Sequence, residues 1–85
     1  MKTFDYTVKD ELGIHARPAG LLVRSASTFK SSITLKKGDK EADLKRLFAV
    51  MGLSVKKADT VTVAINGEDE DEALKAIKQF FESNL

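Results

Sequence analysis

No cysteine occurs in the 85 residues, and there is one histidine, one proline and no tryptophan. Without thiols, a disulfide framework, a thiolate metal site and dithiol redox chemistry are excluded. A single imidazole cannot supply a histidine-rich metal centre, so no metal and no cofactor is expected. No apolar run approaches the roughly 20 residues of a membrane span, so no membrane insertion is expected. The first strand-like segment starts at Lys2, so no signal peptide is expected either, and a cysteine-free chain fits a cytoplasmic location. Lysine and arginine total 14 against 13 acidic residues, a net charge of +1. That balance leaves no dominant field for nucleic acid. Six aromatics, mostly at core-facing positions, also argue against RNA.

The length suits one domain over residues 1–85. Apolar residues make up 42% and charged residues 32%, as in a globular protein. "KTFDYTV" alternates, with Phe4, Tyr6 and Val8 on one side, and predicts a half-buried strand. "RPAGLLVRSASTF" predicts a helix over 17–29, its apolar face formed by Ala19, Leu22, Val23, Ala26 and Phe29. Pro18 fits its first turn, where a missing N–H costs nothing. "SSITLKKGDKEADL" predicts a strand, a turn at Lys37-Gly38-Asp39 and a short return strand. "LKRLFAVMGL" predicts a brief helix ending near Gly52. "TVTVAI" predicts a strand with Val61, Val63 and Ile65 inward, broken by Asn66-Gly67. In the last segment Asp69 and Glu72 have capping-box spacing. Leu74, Ile77, Phe80 and Phe81 give the helix that follows a buried stripe.

The order β-α-β-β-α-β-α, with strands apolar on one side only, implies an α+β fold. It is an open-faced β-sandwich whose three helices share one face of the sheet. A helical crossover joins the first two strands, so they can run parallel with another strand between them.

"GIHARPAG", residues 13–20, contains both the only histidine and the only proline. His15 stands immediately before a helix, next to unpaired backbone N–H groups and the positive end of the helix dipole, where anions such as phosphate bind. Arg17 adds a permanently charged planar fork suited to phosphate oxygens. Positive surroundings favour a neutral, nucleophilic imidazole. They also stabilise the charge that arrives with a phosphoryl group. Gly20 leaves the next turn open for a partner. Taken singly, His15 reads as a surface residue, Arg17 as a solvated charge and Gly20 as a helix weakener of roughly 1 kcal/mol. On the residues alone, a surface histidine and a phosphate-accepting one both stay open.

"GIHARPAG", with "LFAVMGL" and the element order, resembles the HPr family, the histidine-containing phosphocarriers of the phosphoenolpyruvate-dependent sugar phosphotransferase system. The likeness covers essentially the whole chain. It implies an antiparallel four-stranded sheet in the order 1-4-2-3 with three helices on one face. It implies a carrier, not an enzyme, that accepts a phosphoryl group from enzyme I and hands it to sugar-specific enzyme IIA proteins. Carried over, His15 accepts the group on Nδ1, Arg17 steadies it, and the backbone N–H groups of Ala16 and Arg17 complete the pocket. Arg17, Gly20, Arg24 and Ser27 fall on one stripe of the first helix, facing away from its apolar side. Leu47, Phe48 and Met51, which by themselves read as core, become with that stripe a docking surface for enzyme I and IIA proteins. A basic stripe around an apolar patch favours acidic partners. A shuttle with one docking face is expected to be a monomer.

Two positions depart from the family pattern. Many relatives carry a regulatory serine at position 46; Arg46 has no hydroxyl to phosphorylate, so that switch is expected to be absent. Leu12 stands where many relatives have a small polar residue, and leucine cannot hydrogen-bond a phosphate. Leu12 leans toward a regulatory, nitrogen-type relative with the same chemistry, whereas "LFAVMGLSV" leans toward sugar transport. An anion- or RNA-binding α/β module is the alternative from another class.

Overall fold

The computed structural model describes residues 1–85. Seven elements follow in the order β1 (Lys2–Thr7), α1 (Ala16–Ala26), β2 (Ser32–Lys37), β3 (Lys40–Asp43), α2 (Leu47–Gly52), β4 (Thr60–Asn66) and α3 (Glu70–Asn84). The strands form one sheet in the order β1-β4-β2-β3, and every neighbouring pair is antiparallel. Lys2 pairs with Ile65 and Thr7 with Thr60, while Ile33 also faces Ile65 from the other side. β1 and β2 therefore run parallel with β4 between them, as the helical crossover permits. Lys37 pairs with Lys40 across a two-residue turn. Gly38, with φ +61°, takes the first central position, which demands left-handed backbone.

Alternation decides which side of the sheet is dry. Val61, Val63 and Ile65 of β4 are buried, as are Ile33 and Leu35 of β2. The residues between them on β4 and β2, with Thr3, Asp5 and Thr7 of β1, form the wet face. There the Thr62 hydroxyl donates to Asp5 Oδ1 at 2.6 Å. All three helices cover the dry face, and α1 touches both α2 and α3. One cluster of 19 buried residues joins the layers. Full burial of such a side chain contributes about 1.5–3 kcal/mol. Phe81 of α3 is met edge-on by Phe4 and Tyr6, at centroid distances of 5.7 and 5.4 Å. Phe4 and Tyr6 stay half-buried because β1 is an edge strand.

Four local expectations are corrected. α1 ends at Ala26, and Phe29 lies in the turns that follow, half-buried against the core. The last N–H groups there fold back in shorter loops, Phe29 N–H to Ala26 O at 3.2 Å, which close the helix early. α2 begins at Leu47; Leu44 precedes it as a core residue, its N–H bonded to Ile33 O at 2.8 Å. The stripe α3 buries is Ala73, Ile77 and Phe81, at strict four-residue spacing, with Leu74 and Phe80 at its margins. The capping box does not form. Asp69 is the N-cap residue of α3, but its carboxylate accepts the N–H groups of Lys30 and Ser31 and the Ser31 hydroxyl.

Candidate functional site

His15 is the N-cap residue of α1, with extended backbone (φ −97°, ψ 179°). Its carbonyl accepts the Ala19 N–H at 2.9 Å, the first bond of the helix. Its side chain makes no capping bond, which leaves the half-buried ring uncommitted. A helix start leaves its first N–H groups without helical partners. Ala19 N–H is paired, Pro18 has none, and the N–H groups of Ala16 and Arg17 have no partner. Arg17 is exposed and belongs to no ion pair. An imidazole, two free amides and an unpaired guanidinium thus meet at one helix terminus. Charge-assisted bonds from such donors favour a phosphoryl dianion.

The segment that leads into His15 is held by the loop that carries Val55. Gly13 has φ +67°, and a methyl group on it would collide with the Val55 carbonyl. That same carbonyl accepts the Ile14 N–H at 3.1 Å, and Ile14 is buried. The backbone therefore presses flat against the 53–59 loop directly before His15, which only glycine at position 13 permits.

His15 and Arg17 line an open depression of about 250 Å³ with Asp10, Pro18, Leu21 and Asn84. Asp10 and Asn84 arrive from opposite ends of the chain. Leu85 O accepts the N–H groups of Lys9 at 2.6 Å and Asp10 at 2.8 Å, joining the end of α3 to the segment before the site. Asp10 Oδ1 in turn accepts the Leu12 N–H at 2.8 Å. Leu12 is 71% exposed and is not among the residues lining the depression.

The other sequence-selected residues divide by exposure. Arg24 is exposed, and Gly20 has nothing within 4 Å of where a Cβ would stand, so this side of α1 is open. Ser27 lies one residue beyond α1, and its hydroxyl donates to Val23 O at 2.8 Å. Leu47 packs against the core, whereas Phe48 is 85% and Met51 37% exposed. Arg46 is the N-cap residue of α2, its Nε 3.8 Å from Asp43 Oδ2. Leu21 was not selected from the sequence, yet it is 47% exposed and lines the depression. Its signal was available: it lies four residues after Arg17 and three before Arg24, an apolar side chain on a polar stripe.

Residues 2–83 match the family described as "PTS HPr component phosphorylation site". The chain is 48% identical over 77 residues to a phosphocarrier protein HPr of Lysinibacillus sphaericus, covering 91% of this chain and 88% of that one. It is 42% identical over 85 residues to the HPr of Mycoplasma genitalium, covering 99% and 97%. Among solved structures, a mycoplasma histidine-containing phosphocarrier protein superposes with a TM-score of 0.94 at 36% identity, covering 96% of this chain and 93% of that one.

Proposed function

Because this chain belongs to the HPr family, the phosphocarriers of the phosphotransferase system, we propose that His15 is the residue on which it carries the phosphoryl group. The observation that carries this reading is the uncommitted His15 ring at the start of α1, beside two unpaired amides and the free Arg17 guanidinium. The chain is a carrier and not a catalyst, which fits a site of binding groups around one nucleophile.

In the forward step the lone pair of His15 Nδ1 attacks phosphorus on the phosphohistidine of enzyme I. The donor N–P bond breaks, the electron pair returns to the donor imidazole, and an N–P bond forms at His15. The His15 ring proton stays on Nε2. The N–H groups of Ala16 and Arg17 and the Arg17 fork bind the oxygens of the dianion. The reverse geometry on an enzyme IIA domain releases the group. Arg17, Gly20, Arg24, Ser27, Phe48 and Met51, with Leu21 added, form the face offered to both partners, and Leu47 supports it from the core side. Such a face favours partners with acidic rims around an apolar pocket.

A carrier that shows the same face to each partner in turn works as a monomer and shares their cytoplasmic compartment. No helix is long and apolar enough to cross a membrane. Leu12, which is 71% exposed and cannot hydrogen-bond a phosphate, carries a second reading, a regulatory branch of the same family. Growth on phosphotransferase sugars of a strain lacking its own HPr separates the branches. Incubation with phosphoenolpyruvate and enzyme I tests the common chemistry: one acid-labile, alkali-stable phosphoryl group is expected, and its absence overturns the reading.

A further inference from the structure

An acidic residue, Asp10, shares the depression in which His15 and Arg17 lie. Its position is set by the chain and not by attraction to a cation. Its own N–H is tied to Leu85 O at 2.8 Å, and its Oδ1 holds the Leu12 N–H in a tight turn at 2.8 Å. None of the five ion pairs of the protein includes it, so neither Arg17 nor any lysine neutralises it. Sharing one depression puts the two groups within reach of each other's field, since screening at physiological salt takes hold over about 8 Å. The carboxylate and the dianion on His15 therefore repel each other with only partial screening.

Resting on the assignment of His15 as acceptor, we infer that Asp10 is a positioning residue that tunes the transfer potential of the phosphohistidine. Two opposed influences act on the dianion. The amides of Ala16 and Arg17 and the Arg17 fork hold it, while Asp10 pushes against it. A carrier held by the first alone would be loaded readily and unloaded slowly. The fixed negative charge raises the energy of the loaded state, and this favours breaking the N–P bond at His15 when an acceptor imidazole arrives. The balance is that of the transfer itself: the phosphoryl group moves to the acceptor nitrogen, the bonding pair returns to His15 Nδ1, and Asp10 exchanges no proton.

The test is the equilibrium between phospho-enzyme I and the phosphorylated carrier, measured for the native chain and for Asp10→Asn. Asparagine keeps the oxygen that accepts the Leu12 N–H and removes the charge. The expected result is a shift toward phosphorylated carrier of about twofold to sixfold at physiological salt, shrinking toward none near 1 M salt, where the Debye length is about 3 Å. Asp10→Ser, whose hydroxyl also makes this turn, is a second neutral variant and is expected to shift the same way. An unchanged equilibrium in both variants, or a shift that persists undiminished in high salt, overturns the role of Asp10 and leaves His15 as acceptor intact. A native chain that takes up no phosphoryl group overturns the assignment of His15 instead.

Discussion

The Asp69 carboxylate, at the start of α3, grips Ser31, at the start of β2, through both the hydroxyl and the backbone N–H, and takes the Lys30 N–H as well. Ser31 is buried, and Gly67 packs so closely on it that a side chain there would strike it. The exit of α1 is thereby fastened to the entry of α3, across 38 residues of sequence.

That grip has a pH signature. The Ser31 hydroxyl first, and then the Lys30 N–H, lower the pKa of Asp69 from 3.8 to about 2. A carboxyl depressed in the folded state stabilises the fold fully above its unfolded value, and that contribution is lost as pH falls through about 2. Asp59, lowered by the Lys56 N–H and then by Lys37, acts in the same direction. Asp69→Asn is expected to lower the denaturation midpoint at neutral pH and to flatten its decline between pH 3.8 and about 2. Urea titrations across that range check this; a midpoint unchanged at neutral pH contradicts it.

Phe48 contributes little to the core because its ring is 85% exposed. Phe48→Ala is expected to fold with native stability, within about 0.5 kcal/mol, as is usual for exposed positions. It is expected to raise the KM of enzyme I for this carrier with little effect on kcat. Leu21→Ala should behave alike if the depression beside His15 is continuous with the docking face. Steady-state transfer kinetics and thermal melts separate docking from folding, and an unchanged KM in both variants contradicts the assignment.

Arg17→Lys keeps a positive charge but replaces a planar fork with a point charge. The side chain is exposed and in no ion pair, so the fold is expected to be unaffected. Transfer from phospho-enzyme I is expected to slow by about tenfold, the equivalent of one charge-assisted hydrogen bond. Native rates in rapid-quench experiments contradict the role given to the fork.

Arg46 removes the hydroxyl on which an ATP-dependent HPr kinase acts in many relatives. The chain is expected to gain no hydroxylamine-resistant phosphate when incubated with an active kinase and ATP. Ser54 and Ser27 are the other hydroxyls to watch; that of Ser27 is tied to Val23 O. A stable phosphate on any residue, detected by mass spectrometry, contradicts the prediction.

The sheet was legible in the sequence where burial is one-sided and complete. Val61, Val63 and Ile65 alternate because β4 is central, with β1 and β2 on its flanks. The order of the strands came from resemblance, since alternation does not say which strand pairs with which. His15 could be placed at a helix start because Pro18 fixes the first turn. Asp10 and Asn84 could not be placed beside it, since the contact is made by the last carbonyl of the chain folding back on Lys9 and Asp10. Asp69 was misread for a related reason. Local spacing pointed to Glu72, while the partner that wins is a buried serine far away in sequence, whose N–H and hydroxyl need an acceptor.

Transfer of one phosphoryl group from phosphoenolpyruvate through enzyme I, followed by mapping of the labelled peptide, identifies the side chain that carries it. A single phosphoramidate on His15 is expected, and none in His15→Ala, which should remain folded because the ring makes no capping bond. Label retained by His15→Ala, or found on any other side chain of the native chain, would contradict the assignment of His15.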